Sequence, residues 1–400
     1  TDEHKDNKLL KSTPTTQLVS EITFSDGRTI DYEYDAEERI TKVTDSVEGV
    51  TEYTYDALGQ LLTETKNGQL INSMTYDNYG NILYKNGISY RYHAVWKDRL
   101  SFCDGKEILY DAQGNPLKYL DHILFWEKGR QLKSFDNSVY TYNANGIRTS
   151  KTIDGIRHDF YLDGGKILKE VWNGNVLETV FDNEDSVCGI VYNGEPYYFQ
   201  RNLQGDIIGI TDQNANVVVR YSYDAWGKCT ITRAINGVIA RINPFRYRGY
   251  YYDSETGLYY LQSRYYDPVV GRFLNGDMVE IAVMQQGAIG HNLFGYCGNE
   301  PVDCVDVSGF ATTSYSGIKC TSANKGFSVK MHYKFLSKSF CTDFAKHVIS
   351  VWGKKGKYRK MKKSRIAMEL FAHAVLFVLG ITLYGMSILT FVSSQKAERY

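Results

Sequence analysis

The residue types that could do chemistry in this 400-residue chain are scattered rather than clustered. Cys320, Cys341, Asp343, His332 and His347 supply the side chains of a Cys–His–Asp relay within the C-terminal quarter. A nucleophilic thiolate needs a base held against it, and neither cysteine stands in a local signature that sets such a pair. The seven cysteines, at 103, 188, 229, 297, 304, 320 and 341, form no Cys-x-x-Cys pair, which leaves structural zinc unsupported. Their odd number argues against a disulfide framework. No glycine-rich phosphate loop is present, because the glycines stand in turn sequences. The sequence therefore predicts no cofactor and no metal.

Charge supplies a second chemistry. Residues 311–400 hold 16 Lys plus Arg against 3 Asp plus Glu, a formal +13, and residues 1–310 carry the balancing −13 of a chain whose total is zero. Lys354, Lys355, Lys357, Arg359, Lys360, Lys362, Lys363 and Arg365 form a dense basic cluster at 354–365. Shortly after it, Ala374 to Val392 runs nineteen residues without a charge, which is long enough to span a bilayer. The sequence predicts a transmembrane helix over 370–392 with the basic flank on the cytoplasmic side and Glu369 and His373 at the entry interface. A buried helical element of a larger domain is the other reading of the same run. Without interleaved aromatics in a folded context, the basic cluster favours anionic lipid over nucleic acid as a partner. The charge split itself has two readings: an acidic surface that keeps a sheet soluble beside a basic membrane flank, or an acidic shell that attracts a basic cargo in a confined space.

The elements that would position any of these groups are set by two alternating turn chemistries. Tyr-Asp pairs stand at Tyr34-Asp35, Tyr55-Asp56, Tyr76-Asp77, Tyr110-Asp111 and Tyr223-Asp224, followed by Gly59, Gly80, Gly114 and Gly227, with Glu38 in the glycine position of the first. Tyr142-Asn143 with Gly146 is a softened copy. Between them lie Asp26-Gly27, Glu48-Gly49, Asn67-Gly68, Asn86-Gly87, Asp104-Gly105, Asp154-Gly155, Asn173-Gly174 and Asn193-Gly194. Asn-Gly and Asp-Gly suit type I′ hairpins, whereas Asp followed three residues later by Gly suits a type I turn with a bulge. In Glu52-Tyr53-Thr54-Tyr55 the two tyrosines share one face of a strand. Each hairpin alone is marginal, so burial requires neighbours to stack, and strand twist must curl the stack. Of 33 tyrosines, 28 precede residue 311, an enrichment that fits strands and argues against disorder or a helical bundle. Most of these rings pack a core, while a minority would be free to offer sugar-binding faces.

These turns resemble the YD repeats of RHS-repeat proteins, and residues 243–310 resemble the RHS repeat-associated core domain. The matching text runs Asn243-Pro244-Phe245-Arg246-Tyr247-Arg248-Gly249-Tyr250-Tyr251-Tyr252-Asp253, Glu255-Thr256-Gly257-Leu258-Tyr259-Tyr260, Ser263-Arg264-Tyr265-Tyr266-Asp267-Pro268 and Gly271-Arg272-Phe273-Leu274, with Asn292, Asn299, Pro301, Asp306 and Gly309. The resemblance implies a mainly β fold, a spiral antiparallel sheet of YD-repeat hairpins curling into a shell, followed by a small helical C-terminal segment. It divides the chain into a repeat shell at 1–242, a core domain at 243–310 and a variable C-terminal region at 311–400. It also implies a polymorphic toxin, secreted or at the cell surface with a membrane-associated C-terminus. The chain's own C-terminal region would be the cargo, a cognate immunity protein would be a partner, and membrane lipid and carbohydrate would be further ones. Beginning at Thr1 with no Met and no signal peptide, the chain is expected to be the end of a longer protein whose export signal is not visible.

The same resemblance implies one catalytic event, self-cleavage after the core domain by paired aspartates. Two nearby carboxylates share a proton, so that one serves as base on water and the other as acid. The family pattern near the cut is Pro, four residues, then Asp-Pro-x-Gly-Leu. Here Pro301 precedes Asp306-Val307-Ser308-Gly309-Phe310, so the spacing survives while Val307 replaces Pro and Phe310 replaces Leu. Asp277 best matches the upstream partner, with Glu280 where the family has Gly. The candidate catalytic residues are thus Asp277 and Asp306, cutting after Phe310, and the competing reading makes Asp306 and Gly309 plain turn formers. Three functions remain in view: a toxin shell with its cargo, a surface adhesin with glycan-binding repeats and a C-terminal anchor, and a single-turnover aspartic autopeptidase.

Overall fold

Two kinds of turn fold the chain from Glu21 to Ala234 into antiparallel ribbons. The structure, a computed structural model, describes residues 18–183, 185–277, 292–306, 308–309 and 312–314. All described residues belong to one compact unit. Within it, β1 (Glu21–Thr23) to β10 (Lys106–Glu107) form one ladder and β11 (Leu109–Tyr110) to β24 (Cys229–Ala234) a second, each strand pairing with the next. The predicted Asn-Gly and Asp-Gly turns are tight hairpins except Asp26-Gly27, a longer turn in which the Gly27 amide bonds the Phe24 carbonyl at 3.0 Å; Asn67 and Gly68 have φ of 51° and 75°, the left-handed pair that a type I′ turn needs.

The Tyr-Asp turns are built differently. Asp56 Oδ1 accepts the amides of Leu58 at 2.8 Å and Gln60 at 2.9 Å, and the ladder shifts register between Thr54 and Tyr55. Glu38 adopts φ 68° in the first copy, a left-handed position that glycine fills elsewhere. The residue five beyond the aspartate enters the core in the first three copies, where Ile40, Leu61 and Ile82 are fully buried. Their neighbours lock them in place: Tyr55 donates its hydroxyl to the Ile40 carbonyl at 2.6 Å and Tyr76 to the Leu61 carbonyl at 2.5 Å. Tyr34 and Tyr223 do the same to Val19 and Ile207. Burial holds the phenols of Tyr55 and Tyr76 well above their usual range. Tyr34, Tyr55, Tyr76 and Tyr223 therefore each staple their strand to the segment before it, with the hydroxyl turned onto a carbonyl.

Late strands also meet early ones. Ala225 donates its amide to both Glu64 carboxylate oxygens, Leu203 to the Tyr32 hydroxyl, and Arg220 pairs with Asp26 at 2.8 Å. After β24 come a short helix α1 (Gly237–Ile242) and a small meander of β25 (Tyr251–Asp253), β26 (Leu258–Tyr260), β27 (Tyr265–Asp267) and β28 (Arg272–Phe273). Asn236 caps α1 by accepting the Val238 and Ile239 amides. This region lies against the Tyr-Asp turns of the wall. Asn299 bonds Gln60 and Gly80, Asn292 bonds Asn81, and Asp303 accepts the Ile40 amide.

The expectation of a transmembrane helix and a membrane-associated C-terminus is corrected. Among the described residues no helix is long and apolar enough to cross a membrane, and α1 has six residues. The basic cluster 354–365 and the run 370–392 lie outside the described residues. An uncharged run of sufficient length is necessary for a span but does not by itself make one, since buried core segments read the same way.

Candidate functional site

The hairpin between β26 and β27 turns at Leu261–Arg264, where the Leu261 amide bonds the Arg264 carbonyl at 2.9 Å and Gln262 takes φ 61°. This turn carries Ser263 and Arg264 to the segment that leaves the core region. There β29 (Cys304–Asp306) pairs antiparallel with β30 (Thr312–Ser314), Asp306 opposite Thr312, so residues 307–311 join the two strands. The candidate bond after Phe310 falls in that connection, and Phe310 itself lies outside the described residues.

The structure brings Asp277 and Asp306 together on one cation. A single Arg264 nitrogen, Nη2, lies 2.9 Å from Asp306 Oδ2 and 3.2 Å from Asp277 Oδ2. The three side chains are 4%, 1% and 6% exposed for Arg264, Asp306 and Asp277. The guanidinium offsets the repulsion of two carboxylates in a poorly solvated place, where an unpaired ion would be costly. It also does more: Arg264 Nε donates to the Gly309 carbonyl, Nη1 donates to the Leu293 carbonyl at 3.2 Å, and the group stacks over Phe273 at 3.5 Å. Ser263 holds the preceding carbonyl, Ser308, through its amide at 3.4 Å and its hydroxyl at 2.7 Å. Tyr250 Oη accepts the Asp306 amide at 3.0 Å. Gly309 takes φ +75°, and a Cβ there would lie 2.6 Å from Ser263 Oγ and 2.9 Å from the Leu261 carbonyl oxygen, so only glycine fits. The chain just before the candidate bond is therefore clamped residue by residue beside two carboxylates.

Arg264 and Ser263 stood in the sequence as part of a tyrosine-rich block with no role attached. The signal was present: a charged residue set among Leu261, Tyr265 and Tyr266, where apolar side chains rule. The candidate residues Cys320, Cys341, Asp343, His332 and His347 and the eight basic residues from Lys354 to Arg365 lie outside the described residues. Among the described residues no cluster of His, Cys, Asp and Glu could hold a metal ion.

Two further charged clusters tie the core region to the wall. Arg148 occupies the buried position that Ile40 and Leu61 occupy in other repeats, and it forms a forked pair with Asp253 at 2.6 and 3.0 Å. Lys151 bonds Asp253 at 3.1 Å and Glu255 at 3.2 Å. At the second cluster Glu64, 2% exposed, accepts the Ala225 amide at 3.1 and 3.0 Å and Asn72 at 2.5 Å. Lys85 donates to the carbonyls of Pro268 at 3.1 Å and Val269 at 2.8 Å. Burial, and then the charge of Asp224, push the Glu64 carboxyl up to about 7, while burial pushes Lys85 down.

The Glu64 shift has a definite sign. A carboxyl raised in the folded state binds its proton more tightly there than in the unfolded chain, so its contribution to stability is complete below the ordinary carboxylate range. That contribution is lost as pH rises through about 7. Glu64→Gln should therefore lose part of the fall in thermal midpoint between pH 5 and 8 that the wild type shows. Parallel midpoint curves for the two proteins would remove Glu64 from the account.

The family model described as Teneurin YD-shell matches residues 15–95 and 170–302. The chain is 32% identical over 242 residues to a tRNA3(Ser)-specific nuclease WapA of Bacillus spizizenii, covering 56% of this chain and 10% of that protein. It is 36% identical over 115 residues to a double-stranded DNA deaminase toxin A of Burkholderia cenocepacia, covering 29% of this chain and 8% of that one. The solved structure of TcdB2-TccC3 without its hypervariable C-terminal region superimposes with a TM-score of 0.55 at 19% identity, over 72% of this chain and 17% of that one. The chain thus spans a tenth or less of the length of these two sequence relatives.

Proposed function

The chain belongs to the Teneurin YD-shell family, and from that membership we propose that it is the C-terminal part of a secreted RHS-repeat toxin-delivery protein. In this reading residues 1–242 are the end of a hairpin shell, 243–310 a core domain that closes it, and 311–400 the cargo. The observation that carries the reading is the clamp around residues 306–309, which fastens the chain at the point where core gives way to tail. The contacts of late strands with early ones, Ala225 with Glu64 and Arg220 with Asp26, support ribbons that curl round into a shell. Relatives named for unlike activities, a tRNA nuclease and a DNA deaminase, match this chain, as expected where one scaffold serves different cargoes.

Self-cleavage after Phe310 is the chemistry that the clamp favours. One of Asp277 and Asp306, ionised, takes a proton from water as its oxygen adds to the Phe310 carbonyl carbon. The other, protonated, gives its proton to the Ala311 nitrogen as the C–N bond breaks. Arg264 holds both carboxyls and the Gly309 carbonyl in register. The adhesin reading is the weaker one, because the repeat tyrosines are turned inward onto carbonyls.

The cargo half of the reading is tested by growth. Residues 311–400 produced alone inside a bacterium should inhibit it, and co-production of the protein encoded next to this chain's gene should restore growth. A tail that leaves the growth of several bacterial hosts unchanged removes the toxin cargo from the proposal.

A further inference from the structure

The turn at residues 93–99 departs from every other Tyr-Asp turn. Tyr92 is followed by His93 rather than Asp, and Leu100, which fills the buried position, comes eight residues after the tyrosine where Leu61 comes six after Tyr55. His93 takes the aspartate's part by accepting the amides of Val95 at 3.3 Å and Trp96 at 3.0 Å. The extra length carries Trp96 and Asp98 out to the core region. Trp96 packs against Phe294 with ring centroids 6.1 Å apart, and Lys97 offers its carbonyl to Asn81 at 3.2 Å. Asp98 is engaged at both ends: its carbonyl accepts Arg272 Nη2 at 2.7 Å, and its Oδ2 accepts the Leu293 amide at 2.8 Å.

Leu293 is the hinge of the connection. Its carbonyl accepts the Asp277 amide at 2.8 Å and Arg264 Nη1 at 3.2 Å. One residue of the core region therefore joins a wall carboxylate, through its amide, to both the upstream aspartate and the bridging guanidinium, through its carbonyl. We propose that Asp98 is a positioning residue for the self-cleavage site, seating Leu293 so that Arg264 and Asp277 are aligned only when the core region is docked on the wall. This rests on the self-cleavage reading above and adds its regulation. A core region that has not reached the 93–99 turn lacks the Leu293 anchor and leaves Asp277 out of line, so the tail is released inside a finished shell rather than from a half-folded chain.

The test uses the full 400-residue chain and follows cleavage by intact mass. Asp98→Ala should slow cleavage about 10- to 100-fold, the loss expected when reacting groups are displaced by about an ångström. Asp98→Asn keeps an oxygen acceptor for the Leu293 amide and should cleave within about threefold of wild type, while both variants keep the wild-type circular dichroism spectrum. A general packing role would instead lower the thermal midpoint and would not single out the acceptor. If Asp98→Ala fails to fold, Asp98→Glu decides: it keeps the charge, displaces the oxygen by a methylene, and should also be slowed. Wild-type rates in Asp98→Ala or Asp98→Glu overturn this proposal and leave self-cleavage standing, as does an Asn variant as slow as Ala. A wild-type chain that never cleaves overturns both.

Discussion

Replacing Asp253 by alanine should destabilise the chain by about 3–5 kcal/mol, the cost of stranding one partner of a buried ion pair. Both ends of the pair are fully buried, at 0% side-chain exposure for Arg148 and 0% for Asp253. The guanidinium is ringed by Tyr140, Phe160, Tyr251, Tyr260 and Tyr265 at 4.2–5.9 Å, so no solvent stands ready to replace the carboxylate. Burial would raise the Asp253 pKa, and the charges of Arg148 and Lys151 override it, holding the carboxyl below its usual range. A depressed carboxyl contributes stability above the ordinary carboxylate range and loses it as pH falls through the folded value, so the Ala variant should differ least from wild type in strong acid. Asp253→Asn, which keeps acceptor and volume, should cost less than Ala. The double variant Arg148→Leu with Asp253→Leu should cost less than Asp253→Ala, since no lone charge is left behind. Urea unfolding at neutral pH measures all three. An Ala variant within about 1 kcal/mol of wild type would mean that water reaches Arg148.

Arg148 also shows how much was legible beforehand. The turns were written in the sequence because positive φ and an Asx side chain are local requirements, and Asn67-Gly68 and Asp56 meet them without help from the rest of the chain. The period was equally plain, whereas the positions that it buries, Ile40, Leu61 and Ile82, emerge only from the packing. At the Asn143 copy the same position holds arginine, a break in the pattern that was open to view. Its meaning depends on Asp253, which is 105 residues away and brought near only by packing. The candidate site divides the same way. Asp277 and Asp306 were found through spacing shared with a family, whereas Arg264 joins them through three-dimensional contacts that no spacing encodes. Asp98 lies further still, in a turn that the Tyr-Asp pattern does not mark because His93 follows Tyr92 where an aspartate would stand. The transmembrane expectation is overturned among the described residues, where no helix is long and apolar enough to cross a membrane, and the run on which it rested lies outside them.

Asp306→Asn should abolish release of the tail, and its rate should fall by about 10²–10⁴-fold, the range expected for losing a positioned acid or base. Wild-type chain incubated at mildly acidic and neutral pH should yield a fragment ending at Phe310, read by intact mass. Asp277→Asn should be comparably slow, because each carboxyl does work that the other cannot do at the same moment. Both Asn variants keep an oxygen that can accept from Arg264, so the clamp on Gly309 and Ser308 should persist and their folds should match wild type. Retained structure with lost cleavage separates chemistry from packing. The opposite pattern is equally informative: an uncleaved wild type, with Asn variants that unfold more readily, would make Asp277 and Asp306 the counter-ions of a buried arginine. In that case Gly309 would be a turn glycine, and the tail would stay joined to its shell until something else cut it.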